Sequence, residues 1–317
     1  MTKFILRRFG LAVITLFLLS VLVFIGTQLL PGDVGRRILG PFANQEAVDA
    51  LNARLGTDRP VLVQYWDWIS SAVTGDLGFS ISYSRPVHEL MGRALGNSAK
   101  LAALAFIIVV PLSLLGGIVA ALRRGKLTDR IVTVGGLSAT VIPEFVSGIV
   151  LILVFAVFLR WLPGTATPPA GASFFTQVRY LILPAICLVL VLFGYIARIT
   201  RAGVIEALEA DYTRTAILKG LPRSKVIRRD VLRNALLPTV AVIATQVGYL
   251  IGGLVVVEFL FSYQGIGRLL YDAARNADFP LLAGGVLVVG AIFQVAMLVA
   301  DLIYSWLNPR LRLGGHG

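Results

Sequence analysis

The sequence predicts an all-α membrane protein with six membrane-spanning helices and both termini on the cytoplasmic side. Three observations carry this. Apolar residues make up 57% of the 317-residue chain and charged residues only 15%, against roughly 45–50% and about 25% in soluble globular chains; the mean hydropathy is +0.83. The apolar residues gather in long runs, and about 20 residues of helix cover a hydrocarbon core. The basic residues sit between those runs, mostly on one side.

The runs fall at about residues 9–30, 99–122, 131–159, 181–196, 240–261 and 281–307. Six spans place both ends on the same face. One side holds Lys3, Arg7 and Arg8, then Arg123, Arg124, Lys126 and Arg130, then nine basic residues from Arg198 to Arg233, then Arg310 and Arg312. The two short loops opposite hold only Arg160, Arg179, Arg268 and Arg275. The basic side is cytoplasmic by the positive-inside bias.

The first run is longer than the roughly 7–15-residue core of a signal peptide and ends in Leu30-Pro31-Gly32-Asp33, so it reads as a retained membrane helix. The polar stretch after it contains Val61-Leu62-Val63-Gln64-Tyr65-Trp66-Asp67-Trp68-Ile69. Trp and Tyr favour the headgroup level, which suggests an interfacial helix. Periodicity alone fits the core of a small external domain as well. The third run contains Gly135, Gly136 and Pro143. Proline removes a backbone donor and clashes with the preceding turn, so a kink is expected near Val141.

Several function classes fall away. The single cysteine, Cys187, allows no intrachain disulfide, and with only His88 and His316 there is no Cys/His metal site. The net charge of +12 lies between apolar runs without the interleaved aromatics of a single-strand binder, so no nucleic-acid partner is expected. Gly125-Lys126 is no phosphate-binding loop, because Leu127 follows it and Ala120 stands where the first glycine belongs. A proton- or sodium-coupled carrier would draw on Glu144, Glu258 or Asp301, the last two near span ends.

The cytoplasmic stretch from Glu206 to Pro238 reads as helix, turn, helix. Helix formers run from Ala207 to Lys219, Gly220 fits a C-terminal cap, Pro222 can start a second helix, and Pro238 marks re-entry to the membrane. Ala216 and Gly220 lie four apart, which puts two small residues on one face and leaves room for close approach by another protein.

At these residues the chain resembles the permeases of ABC importers, in the dipeptide, oligopeptide and nickel branch. The family's glutamate-alanine-alanine, three residues, glycine motif stands here as Arg214-Thr215-Ala216, three residues, Gly220. The branch's own run is matched by Tyr212 to Ala216, Lys219-Gly220 and Asn234-Ala235-Leu236-Leu237-Pro238. Leu30-Pro31-Gly32-Asp33, Asp58-Arg59-Pro60, Gln64-Tyr65-Trp66, Gly75-Asp76-Leu77-Gly78, Glu258 with Phe261, Gly265-Ile266-Gly267, Asp278-Phe279-Pro280 and Asp301 with Asn308-Pro309-Arg310 extend the likeness along nearly the whole chain.

The resemblance implies the type I ABC importer permease fold. It divides the chain into a first helix with a periplasmic segment (1–97), a core of five spans with a coupling loop at 198–238 (98–310), and a tail (311–317). The chain would be a multi-pass protein of the cell inner membrane and would form the translocation path for di- or oligopeptides or related small solutes; nickel, glutathione, opines and some sugars are also within the family's range. Tyr212, Arg214, Thr215, Ala216, Lys219, Gly220 and Leu221 would couple it to an ATPase subunit. Two such subunits would carry ATP and magnesium, leaving no cofactor in this chain. A homologous second permease subunit, forming a heterodimer, and a periplasmic or lipid-anchored solute-binding protein would complete the assembly.

Pro143 and Glu144 are candidates for the solute path. An ionised carboxylate at mid-membrane costs about 2.5–3.5 kcal/mol on insertion scales, which a water-filled path tolerates and a solute amine can offset. A protonated or arginine-paired glutamate tied to the kink is the other reading.

Overall fold

The computed structural model describes residues 2–29 and 34–307. Leu30 to Asp33, Asn308-Pro309-Arg310 and the 311–317 tail lie outside the described residues. The remainder is mostly helical, with irregular connections such as residues 159–173 and one two-stranded hairpin among the described residues. It gathers into two compact units, residues 1–96 with 269–294, and residues 97–268 with the segment from 295 onward. The 269–294 stretch therefore groups by its contacts with the N-terminal part.

In the first unit α1 (Thr2–Leu29) is followed by α2 (Val34–Leu39), α3 (Gln45–Leu55) and α4 (Val61–Val73). Asn44 caps α3 by accepting the Glu46 N–H, and Gly56 closes it in the left-handed conformation. The aromatic stretch forms α4 as expected. Tyr65 is buried edge-to-face on Phe24 of α1 at 5.4 Å, with its hydroxyl 2.8 Å from that of Ser20, and Trp68 stacks on Phe24 at 5.8 Å. Val61, Leu62 and Trp66 remain exposed. Strands β1 (Phe79–Ser80) and β2 (Arg85–Pro86) pair antiparallel, Phe79 opposite Pro86.

That hairpin is held by a buried carboxylate. Asp278 accepts the Ser80 hydroxyl at 2.5 Å and the Ser82 N–H at 2.9 Å on one oxygen. The other takes the Leu281 N–H at 3.3 Å, capping α14 (Phe279–Leu307). A single acidic side chain thus satisfies a helix end and a turn, which would otherwise leave buried donors unpaired.

The second unit is built on α9 (Phe174–Glu209), 61% of whose most apolar stretch is buried, against 22% for α5 (Val87–Leu122). Leu183, Leu188 and Ile196 of α9 meet Leu101 and Val109 of α5 in one apolar cluster, together with Leu254 and Val257 of α12 (Leu232–Leu260). Small residues set the closest approach. A Cβ on Gly194 would overlap the carbonyl of Gly136 in α7 (Gly136–Val141), and one on Gly136 would stand 2.9 Å from the Gly194 Cα.

Among the described residues four helices are long and apolar enough to cross a membrane, within α1, α5, α9 and α14. One further pair of helices is apolar enough only when taken together, and it is sharply bent. Residues Leu127–Val141, comprising α6 (Leu127–Arg130), a π-helical stretch and α7, meet Glu144–Phe158, which begins with α8 (Glu144–Leu151), at 106°. Ile142 and Pro143 are extended there, with ψ of 126° and 139°. The expected kink is a full break, because Pro143 cannot donate and Ile142 is forced out of the helical region ahead of it. Pro238, read as the point of membrane re-entry, lies inside the continuous 29-residue α12.

Candidate functional site

The loop between α9 and α12 is built from short, anchored pieces. Ala210 turns extended, with ψ of 148°, and ends α9 at Glu209, so the expected helix from Ala207 to Lys219 is split there. Then α10 (Asp211–Leu218) runs back under the end of α9. Buried Thr213 donates its hydroxyl to the Ala207 carbonyl at 2.7 Å. Ala216, three residues on, packs into a second apolar cluster with Ala121, Val204, Ala207, Val226, Val231 and Ala235. Thr213 and Ala216 are therefore the inner face of α10.

This corrects the expected pairing of Ala216 with Gly220 on one outer face. Ala216 is small because α10 lies close to its own chain. Gly220 stands past the last helical turn at φ 78°, and a Cβ there would meet nothing within 4 Å. Its conformation closes the helix. The Gly220 N–H donates to the Ile217 carbonyl at 2.9 Å and the Leu221 N–H to the Ala216 carbonyl at 3.3 Å, the paired closure that left-handed glycine permits. Pro222 then introduces α11 (Arg223–Val226), which continues through a π-helical stretch into α12.

The outer face carries the other expected residues. Tyr212, Arg214, Thr215, Lys219, Gly220 and Leu221 are all exposed. So are Ile217 and Leu218, at 51% and 81% of their full areas, which the sequence reading did not single out. The inner face of this eight-residue helix is filled by Thr213 and Ala216, and among the described residues nothing covers Ile217 and Leu218. Two ion pairs brace the floor beneath. Arg201 of α9 grips Asp129 of α6 with two nitrogens, at 2.6 and 2.9 Å, while Asp129 also takes the Gly125 N–H at 2.9 Å and the Thr133 hydroxyl at 3.1 Å. Exposed Arg124 meets Glu209 at 2.7 Å.

The other candidate pair sits at the broken span. Pro143 ends the extended link and its carbonyl accepts the Val146 and Ser147 N–H groups, at 2.9 and 3.2 Å. Glu144 opens α8 with a half-buried side chain. The buried Cys187 thiol donates to the Glu144 backbone carbonyl at 3.3 Å.

Glu258, a candidate for ion coupling, has a structural position instead. It is fully buried and accepts the Ser98 hydroxyl on one oxygen at 2.5 Å. The other oxygen takes the Gly267 and Arg268 N–H groups at 2.8 and 3.2 Å, at the start of α13 (Ile266–Arg275). It caps that helix from the end of α12.

Residues 113–313 match the family model described as binding-protein-dependent transport system inner membrane component, and residues 1–100 match the model for the N-terminal part of such membrane components. The chain is 36% identical over 312 residues to the glutathione transport system permease protein GsiC of Escherichia coli O6:H1 (strain CFT073), covering 98% of this chain and 99% of the relative. The proteins of the same name from Escherichia coli strain K12 and Shigella dysenteriae serotype 1 are each 35% identical over the same shares.

Proposed function

The chain belongs to the family of binding-protein-dependent transport system inner membrane components, and from that membership we propose that its α10 loop is the surface through which ATPase subunits drive solute import. It is a permease subunit of an ABC importer, a multi-pass inner-membrane protein that works with a solute-binding protein and ATPases and is itself a transport subunit rather than an enzyme. The finer reading has six spans with α12 as the sixth, both termini in the cytoplasm, and a related second permease chain beside this one. ATP and magnesium sit on two separate ATPase subunits. Peptides or glutathione-like solutes are the cargo, in keeping with what the relatives are named for.

One observation carries the docking role: α10 is pinned from inside by Thr213 and Ala216 while it offers Ile217 and Leu218 outward with no cover among the described residues. Moving a two-state equilibrium from 1:99 to 99:1 takes about 5.5 kcal/mol of differential binding. A loop tied to α9 at this depth can pass such a load to the spans; a loose connector dissipates it. Pro143 and Glu144 are proposed to line the path, where a broken helix at membrane depth is tolerated beside a cavity or within protein.

The test is reconstitution in liposomes with the ATPase subunits, the second permease chain and the binding protein. ATP-dependent uptake, with hydrolysis stimulated by loaded binding protein, is the expected result. Uptake driven by a proton or sodium gradient without ATPase subunits would replace this reading with secondary transport.

A further inference from the structure

We propose that Glu144 is the receptor for a positively charged amino group on the solute, making this permease itself selective for amine-bearing cargo; the proposal rests on the importer reading above. The carboxylate is the only charged group between Arg130 and Arg160 in the sequence. It stands at the break where Leu127–Val141 meets Glu144–Phe158 at 106°.

Three features set it apart from a carboxylate that merely serves the fold. First, an acidic residue in the first turn of a helix commonly accepts from the free N–H groups there. The Glu144 side chain accepts from none of them among the described residues; the Val146 N–H turns to the Pro143 carbonyl at 2.9 Å, and the Ser147 N–H makes the first ordinary helical bond to the same oxygen. Second, the Glu144 side chain has no hydrogen bond or ion pair among the described residues, whereas Asp129, Glu258 and Asp278 are each held by several donors. Third, its backbone is fixed. Cys187 of α9 donates to its carbonyl, and one turn on, Gly148 is so close to Leu260 and Phe261 that a Cβ there would overlap the Leu260 side chain.

The result is a half-buried acceptor on a fixed backbone with no protein partner among the described residues. Immediately before it the 127–141 helix ends, and the last carbonyls of a helix carry partial negative charge. A carboxylate beside such an end favours a cation, and an ammonium group supplies three donors to share between them. A peptide's free amino terminus has that chemistry; its N-acetylated form does not.

The experiment uses the full importer in liposomes, with parent, Glu144→Gln and Glu144→Asp permeases. Assembly is checked by co-purification of the second permease and the ATPase subunits. Uptake of trialanine and of N-acetyl-trialanine is measured with each loaded to saturation on the binding protein. For trialanine, Glu144→Gln should transport about tenfold more slowly, the scale of one hydrogen bond to a charged group, and Glu144→Asp should recover most of the rate. N-acetyl-trialanine should move equally in parent and Glu144→Gln. Equal trialanine transport by parent and Glu144→Gln would overturn the amine receptor while leaving the ATP-driven importer intact. Loss of the second permease subunit from Glu144→Gln would overturn it too, by showing the carboxylate to be an intersubunit ion pair. Absence of ATP-driven uptake in the parent would remove both readings.

Discussion

The Ser98 hydroxyl donates at 2.5 Å to the carboxylate of Glu258, 160 residues further along the chain, and the same hydroxyl accepts the Ile266 N–H at 2.8 Å. The pair joins the α5 segment, the end of α12 and the start of α13 in one buried polar knot. Ser98→Ala should therefore cost about 1–2 kcal/mol of stability, since it leaves buried groups short of a partner. Glu258→Leu should cost more, about 3 kcal/mol, because three donors lose their acceptor at once. Unfolding midpoints in detergent check the order; a Glu258→Leu protein as stable as the parent would contradict it.

Positions on α10 should separate by which way they face. Leu218→Glu, on the exposed side, should leave the permease folded yet strip or uncouple its ATPase subunits, lowering loaded-binding-protein-stimulated hydrolysis at least tenfold. Ala216→Trp should instead disturb the permease itself, by roughly 1–3 kcal/mol of overpacking against Val204, Ala207 and Val226. Limited proteolysis of the loop distinguishes the two: faster cleavage is expected in Ala216→Trp alone.

Gly220 offers a sharper comparison. Its φ of 78° is strained for most side chains but accessible to asparagine. Gly220→Asn should keep substrate-stimulated hydrolysis within about twofold of the parent, while Gly220→Leu should lose most of it. Equal damage from both would mean that the glycine is needed for contact with the ATPase rather than for the turn.

Gly194 faces the Gly136 carbonyl with no room for a methyl group. Gly194→Ala should lower stability by about 2–3 kcal/mol, since backbone must shift to admit it. Gly10→Ala in α1, where a Cβ would meet nothing within 4 Å, should be neutral or slightly stabilising. Thermal unfolding of the two variants side by side tests the contrast.

The charge asymmetry of the loops fixes an expectation for orientation. In a Cys187→Ser background, a cysteine at exposed Ser224 should resist an impermeant maleimide added to intact cells and react in inverted vesicles. Labelling from outside would overturn the cytoplasmic placement of the loop. The parent thiol should stay silent either way, because Cys187 is fully buried.

Local chemistry was legible in the sequence where one residue dictates it. Pro143 announced a bend that proves to be a full break, Gly220 and Pro222 the turn of the loop, and the Tyr65–Trp68 stretch a short helix, though not that it packs on α1. What escaped needed a distant partner. Ala216 and its neighbours reveal helical spacing, but which side faces inward depends on Val204 and Val226, which spacing does not report. Glu258 looked like an ion-coupling candidate because its donors, Ser98 and the start of α13, come from other segments. Pro238 does not end its helix: α12 absorbs one missing donor, as α5 does at Pro111 and α9 at Pro184.

The broken span has a mechanical consequence. An unbroken helix is a rod, so tilting one end must tilt the other. Here the two arms have separate moorings: α7 is seated on α9 at Gly136 and Gly194, whereas α8 is seated on both α9 and α12, through Cys187 and Leu260. A displacement of α12 therefore pulls on one arm and not directly on the other. The two extended residues between them, Ile142 and Pro143, form the joint at which such a difference would be absorbed, and the Glu144 carboxylate belongs to the arm seated on α12.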